Sequence, residues 1–146
     1  MDAHDATETL EVLHRTRESL VAGAFSFHDW SQCTCGHLFV GAEGGGAATR
    51  AEVRSPRPET TYASSVVAVA QLLSGDERRF TAPRRWYRRC TGPALAVRWL
   101  SDFTMARAAR RGDVVRRADA IAVIDEAITR LAATRAVEVH DRQLVA

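Results

Sequence analysis

The sequence predicts an all-α protein, a compact single domain of four to five helices with a Gly/Pro-rich loop and an Arg-rich loop. Three observations lead there. Apolar residues recur at helical spacing in several separate stretches, helix start and stop residues bracket those stretches, and alternation at period two is confined to a few residues near position 140. A chain of 146 residues buries roughly 68–70% of its unfolded surface, enough for one core.

The first element follows from Asp5 and Glu8, which have capping-box spacing. Leu10, Leu13, Leu20 and Val21 form one stripe and Gly23 stands just past it, so a helix is expected over 6–22. In "HDWSQCTCGH", residues 28–37, Asp29 and Gln32 repeat the capping pattern, and Cys35, Leu38, Phe39 and Ala42 fall at i, i+3, i+4 and i+7. That predicts a helix over 30–42, in which Gly36 costs about 1 kcal/mol relative to Ala and admits close approach of another helix. Residues 43–58, "EGGGAATRAEVRSPRP", read as a mobile loop. Tyr62, Val66, Val69, Ala70 and Leu73 then mark a helix that stops at Gly75.

Residues 76–92 lack a clean period and form the Arg-rich loop. Pro93 suits a first helical turn because its missing N–H has no intrahelical partner there. Leu95, Trp99, Leu100, Phe103, Ala106 and Arg110 carry that helix toward Gly112. Asp113 is placed to cap the next, in which Val114, Ala118, Ile121, Ile124, Ile128 and Leu131 form a long apolar stripe. Residues 136–146 read as a tail, a short edge strand or a frayed end.

Three stretches, "CTCGHLFVGA", "VRWLSDFT" and "ADAIAVIDEAITRL", together resemble a family of small uncharacterised proteins from actinobacteria and their phages, a domain of unknown function. That family has a Cys-x-Cys helix near its N-terminus, a Trp-containing segment ending in Asn-Asp or Ser-Asp, and a C-terminal helix of the type DxxAxxDxAIxxL. The resemblance covers a minority of the chain and implies a compact all-helical fold with no function attached. His37 after the Cys-x-Cys-Gly and the arginine-rich segment 78–89 depart from the family pattern.

Composition narrows the setting. No run of 18 or more apolar residues occurs, and the first twenty residues are acidic and amphipathic where an export signal is basic and then apolar, so the expectation is a cytoplasmic protein with no membrane contact. Three cysteines, an odd number without an export signal, argue against a disulfide framework. Residues 1–77 hold five arginines against eleven acids, residues 78–117 twelve against two, and residues 118–146 three against five. A basic centre therefore lies between acidic ends, which suits an anionic partner or pairing within the chain.

His28, Cys33, Cys35 and His37 are chemically a zinc-ligand set, but the two cysteines are separated by one residue where structural zinc pairs use two to four. On a helix, positions i and i+2 point away from one another. On a strand they would share a face about 6.6 Å apart and need a tight turn to converge. The helical period instead makes Cys35 a small core residue, with Cys33 near Trp30 and His37 on another face. The reading is thus no cofactor, with zinc held by His28, Cys33, Cys35 and His37, or completed by Cys90, as the alternative.

"RRFTAPRRWYRRC" sets Arg78, Arg79, Arg84, Arg85, Arg88 and Arg89 beside Phe80, Trp86 and Tyr87. Guanidinium groups grip phosphates in bidentate geometry and aromatic faces stack on unpaired bases, so this segment suits a nucleic-acid strand. Arg107, Arg110, Arg111, Arg116 and Arg117 extend the basic surface if the turn at Gly112 brings them near. The competing reading has Trp86 and Tyr87 in the core and the arginines paired with the acidic N-terminal half or with an acidic protein partner. A helix-turn-helix across "ARRGDVVRR" is opposed by Asp119, Asp125 and Glu126, which would face phosphates. "GAEGGGAATR" lacks the Gly-Lys-Ser/Thr end of a phosphate loop, and Ser101 with Asp102 has no histidine at readable spacing. The sequence therefore points to binding rather than catalysis: a small regulatory protein contacting nucleic acid or a nucleoprotein through its arginine/aromatic segment. A zinc-binding protein and a helical homo-oligomer are the alternatives.

Overall fold

Residues 3–45, 49–76, 79–80 and 92–145 are described by the computed structural model, and they form helices only. In chain order these are α1 (Ala3–Ala22), α2 (Thr34–Glu43), α3 (Arg50–Arg54), α4 (Thr61–Ser74), α5 (Gly92–Ala109) and α6 (Arg117–Val145). The all-α expectation holds, with six helices among the described residues where four to five were expected.

α1 and α6 run antiparallel. Arg117 near the start of α6 donates to the Val21 carbonyl at the end of α1 (3.3 Å), Arg17 pairs with Asp125 (2.6 Å), and Leu10 lies beside Ala132, Ala136 and Val139. The buried face of α1 is Ala6, Thr9, Val12, Leu13, Thr16 and Leu20, rotated from the predicted stripe, so Val21 is 51% exposed. Thr16 tolerates burial because its hydroxyl donates to the Val12 carbonyl one turn back (2.8 Å). Gly41 of α2 sits against this face, and a Cβ there would collide with the Thr16 hydroxyl and lie 2.9 Å from both Thr16 N and Val12 O. Glycine is what brings the two helices into backbone contact.

α2 starts at Thr34, later than predicted, because Asp29 organises a turn instead of a helix. Its carboxylate accepts from Ser31 N (2.9 Å) and Ser31 Oγ (2.7 Å) while its carbonyl accepts from Gln32 and Cys33. The cap of α2 is Cys33, whose sulfur accepts from Gly36 N (3.4 Å). The expected role of Gly36 also changes. What it admits is this turn, since a Cβ would lie 2.6 Å from Trp30 O and Ser31 C.

The loop expected at 43–58 contains α3, held by a capping box in which Thr49 Oγ1 accepts from Glu52 N and Glu52 Oε2 accepts from Thr49 N. Val53 of α3 is buried, and its carbonyl accepts the Tyr62 hydroxyl (2.8 Å), which fastens α3 to α4. α4 is as predicted: Tyr62, Val66, Val69, Ala70 and Leu73 are buried and Gly75 closes the helix at φ 71°. α5 buries Ala96, Val97, Leu100, Thr104 and Ala108 and ends at Ala109, short of the predicted Gly112.

α6 corrects two expectations. It begins at Arg117, with Asp119 Oδ2 accepting from Arg116 N (2.8 Å), so Asp113 does not cap it and Val114 lies outside it, 74% exposed. It also continues through residues 136–145, where a strand or frayed tail was expected. The brief alternation of Val137 and Val139 marks two exposed positions rather than one face of a strand. Arg130 of α6 donates to the Leu72 and Leu73 carbonyls at the end of α4 and pairs with Glu126 (2.7 Å), which also takes Arg107 of α5. One carboxylate and one guanidinium thus join three helices.

Candidate functional site

The turn before α2, the short helix α3 and the flank of α5 enclose a cleft of about 520 Å³, within the ~300–1,000 Å³ common for ligand sites. Each wall follows from local structure. Ala94, Val97, Arg98, Ser101, Asp102 and Met105 line it from α5, and their three- and four-residue spacing is one face of a helix. The Asp29 turn presents Phe27, His28 and Trp30, followed by Cys33 at the cap of α2. The capping box of α3 fixes Val53, Arg54 and Ser55 on the remaining side.

Cys35 lies at the floor, 1% exposed, with its sulfur 3.7 Å from the Val97 carbonyl and 3.8 Å from Ser101 Oγ. Burial, reinforced by neighbouring Cys33, pushes the Cys35 thiol up to about 12, so it is neutral and packs as a small apolar group. Cys33 is half-buried on the wall and its sulfur contacts the Trp30 carbonyl (3.5 Å).

The rim is charged and open. Arg54, Arg98 and Asp102 are all exposed, and none makes a hydrogen bond or ion pair among the described residues. Arg98 and Asp102 sit at i and i+4 on one face without pairing. The basic residue precedes the acidic one, which is the weaker order against the helix dipole. Two guanidiniums and one carboxylate are thus available to whatever enters.

Of the predicted metal set, the structure brings His28, Cys33 and Cys35 to this cleft and places His37 elsewhere. His37 is 5% exposed and turned toward the end of α1: its Nε2 donates to the Ala24 carbonyl (2.8 Å) and its Nδ1 accepts from Ser19 Oγ (2.7 Å). Both ring nitrogens are occupied. Burial is the main cause that lowers the His37 pKa, opposed by the Ala24 contact and assisted by Arg117. Among the described residues no group of three or more His, Cys, Asp or Glu side chains could hold a metal ion.

Of the predicted nucleic-acid residues, Arg79 is exposed and lies over the Phe80 ring, 5.9 Å from its centroid. Phe80 is buried edge-on against Trp99 (6.1 Å). Arg78, Arg84, Arg85, Trp86, Tyr87, Arg88 and Arg89, with Cys90, lie outside the described residues. The chain that leaves this segment enters α5 at Gly92, two positions before cleft residue Ala94.

The arginines expected to extend the basic surface are largely engaged within the protein. Arg107 pairs with Glu126, Arg111 with buried Asp119 (3.4 Å), Arg116 with Asp113 (3.8 Å), and Arg117 with the Val21 carbonyl, while Arg110 is exposed. Arg116 and Arg117 are both exposed at the start of α6. Sequence reading passed over Arg54 and Arg98, and weighed Ser101 with Asp102 only as a catalytic pair. The last three had a signal, polar residues at i, i+3 and i+4 on a helix otherwise apolar on that side, whereas Arg54 was hidden in an expected loop.

No helix among the described residues is long and apolar enough to cross a membrane. In comparisons with known proteins, no family model, no curated protein and no solved structure matches this chain.

Proposed function

We propose that the protein is a non-enzymatic binding protein for single-stranded nucleic acid, with the cleft between α2, α3 and α5 as its contact site. The observation that carries the reading is the pair of guanidiniums, Arg54 and Arg98, without partners among the described residues, on the rim of a cleft that also presents Phe27 and Trp30. Guanidiniums take phosphate oxygens in bidentate pairs, and aromatic rings accept the face of any unstacked base. A duplex keeps its bases stacked and offers nothing to the rings. Sequence continuity adds weight: the six arginines of residues 78–89, with Trp86 and Tyr87, precede the α5 wall in the chain.

The test is fluorescence anisotropy of a short labelled single strand of mixed sequence, measured against increasing salt and beside the matching duplex. The single strand should bind more tightly than the duplex. Each neutralised phosphate contributes about 0.7 to the slope of log affinity against log salt, so Arg54→Ala with Arg98→Ala should flatten that slope by at least about 0.7. A wild type that fails to bind at about 50 mM salt, or a double variant with an unchanged slope, would refute the reading.

A further inference from the structure

We infer that the cleft reads a guanine base, with Arg98 and Asp102 recognising its two hydrogen-bonding edges, an inference that rests on the nucleic-acid reading above. It begins from an apparent contradiction. A site for a polyanion carries an exposed carboxylate, Asp102, on the wall that carries Arg98. Asp102 repels phosphate and has no hydrogen-bond or ion-pair partner among the described residues. Such a group favours only ligands that bring donors to it and disfavours the rest, which makes it a discriminating element.

The bases differ in what they bring. Guanine carries two adjacent donors, N1–H and the N2 amino group, beside two adjacent acceptors, O6 and N7. A carboxylate accepts from the first pair and a guanidinium donates to the second, the commonest specific arginine contact to a base. Adenine turns the N1 lone pair toward the carboxylate. Uracil and thymine offer a single N–H between two carbonyls, and cytosine one amino group beside an acceptor. Only guanine offers the carboxylate two adjacent donors and the guanidinium two adjacent acceptors at once, where adenine and cytosine meet the carboxylate with a single amino group. Positions i and i+4 hold the two side chains about 5–6 Å apart at Cβ, a span that flexible Arg98 and short Asp102 can bring onto one base. Trp30 and Phe27 from the opposite wall supply the stacking surface, and Arg54 is left for the phosphate.

The experiment titrates the full chain with short RNA strands identical except for one central base, G, A, C, U or inosine, following anisotropy, with GMP as a competitor. The guanine strand should bind roughly 5- to 150-fold more tightly than the adenine strand, the range one bidentate contact confers. Inosine, which lacks the N2 amino group, should fall between. Asp102→Asn should abolish the preference for guanine over the other bases. Equal binding of all five strands, or a preference that survives Asp102→Asn, overturns the guanine assignment and leaves the single-strand reading standing. If no strand binds, both fall. GMP that competes as strongly as the guanine strand keeps the assignment and identifies the ligand as the free nucleotide.

Discussion

Replacing Gly41 by alanine sets two opposed effects against each other. Alanine is favoured over glycine in a helix interior by about 0.8–1.0 kcal/mol, so on local grounds Gly41→Ala stabilises α2. Across the interface the added methyl collides with Thr16 Oγ1 and presses on Thr16 N and Val12 O at 2.9 Å. Thr16 is fully buried and its hydroxyl is committed to the Val12 carbonyl, so rotation away loses a hydrogen bond worth about 0.5–1.5 kcal/mol. The two backbone atoms cannot move without separating the helices. Overpacking of this kind costs about 1–3 kcal/mol. With the lost bond added and the helix gain removed, the net loss is about 0.5–3.7 kcal/mol. Urea unfolding followed by circular dichroism should show it as a lower midpoint at unchanged slope. In a thermal scan each kcal/mol should lower Tm by about 2–4 °C for a chain of this size. Adding Thr16→Ala removes the hydroxyl from the clash, so the double variant should lose less than the two single losses together, by at least about 0.5 kcal/mol. A Gly41→Ala protein as stable as wild type would show that α1 and α2 do not meet through backbone at this point.

Stability should fall as pH drops below neutrality, through His37. Its pKa is lowered in the fold by burial, so the unfolded chain binds the proton first. The stabilisation is fully present above about 6.5, the unfolded value, and is lost as pH falls from there through the lowered folded value. Urea midpoints between pH 8 and pH 5 should decline for wild type and stay flatter for His37→Gln, and parallel profiles would remove His37 as the cause. The cysteines should separate by reactivity. Burial pushes the Cys35 thiol up and keeps it from ionising, whereas Cys33 is partly exposed at the cleft. Iodoacetamide followed by peptide mass mapping should label Cys33 in the native protein and Cys35 only after unfolding, and equal native labelling would contradict the burial of Cys35.

Much of the helical framework was legible because periodicity and caps agreed. Tyr62 through Leu73 with Gly75, and Ile124 through Leu131, follow directly from apolar spacing, as does the burial of Cys35 and Leu38. Errors arose where a local signal had a second use. Asp29 and Gln32 match a helix start, yet the Asp29 carboxylate turns to Ser31 and makes a tight turn, which moves the cap to Cys33. Thr49 and Glu52 were a capping box in plain view, outweighed by the glycines before them and the prolines after. Around Gly112, Asp113 looked like the cap, but Asp119 performs that task from inside the first turn. The cleft was less legible still. Its walls come from residues 27–35, 53–55 and 94–105, and only tertiary packing reveals that they meet. Of the cysteine and histidine cluster, His28, Cys33 and Cys35 border this cleft and His37 does not.

The antiparallel seating of α1 on α6 has a consequence for how the chain is made. Arg17 and Asp125 are 108 positions apart, and at about 5–20 residues per second a ribosome needs roughly 5–20 seconds to travel between them. For that interval the flank of α1 destined for α6 has no native cover. α2 begins at Thr34, soon after α1 ends at Ala22, and can dock early through Gly41, so a two-helix hairpin is available to the nascent chain while the rest of the fold waits. A pause in translation before residue 117 would hold the protein as an open, sticky intermediate, and the arrival of α6 is the step that closes it.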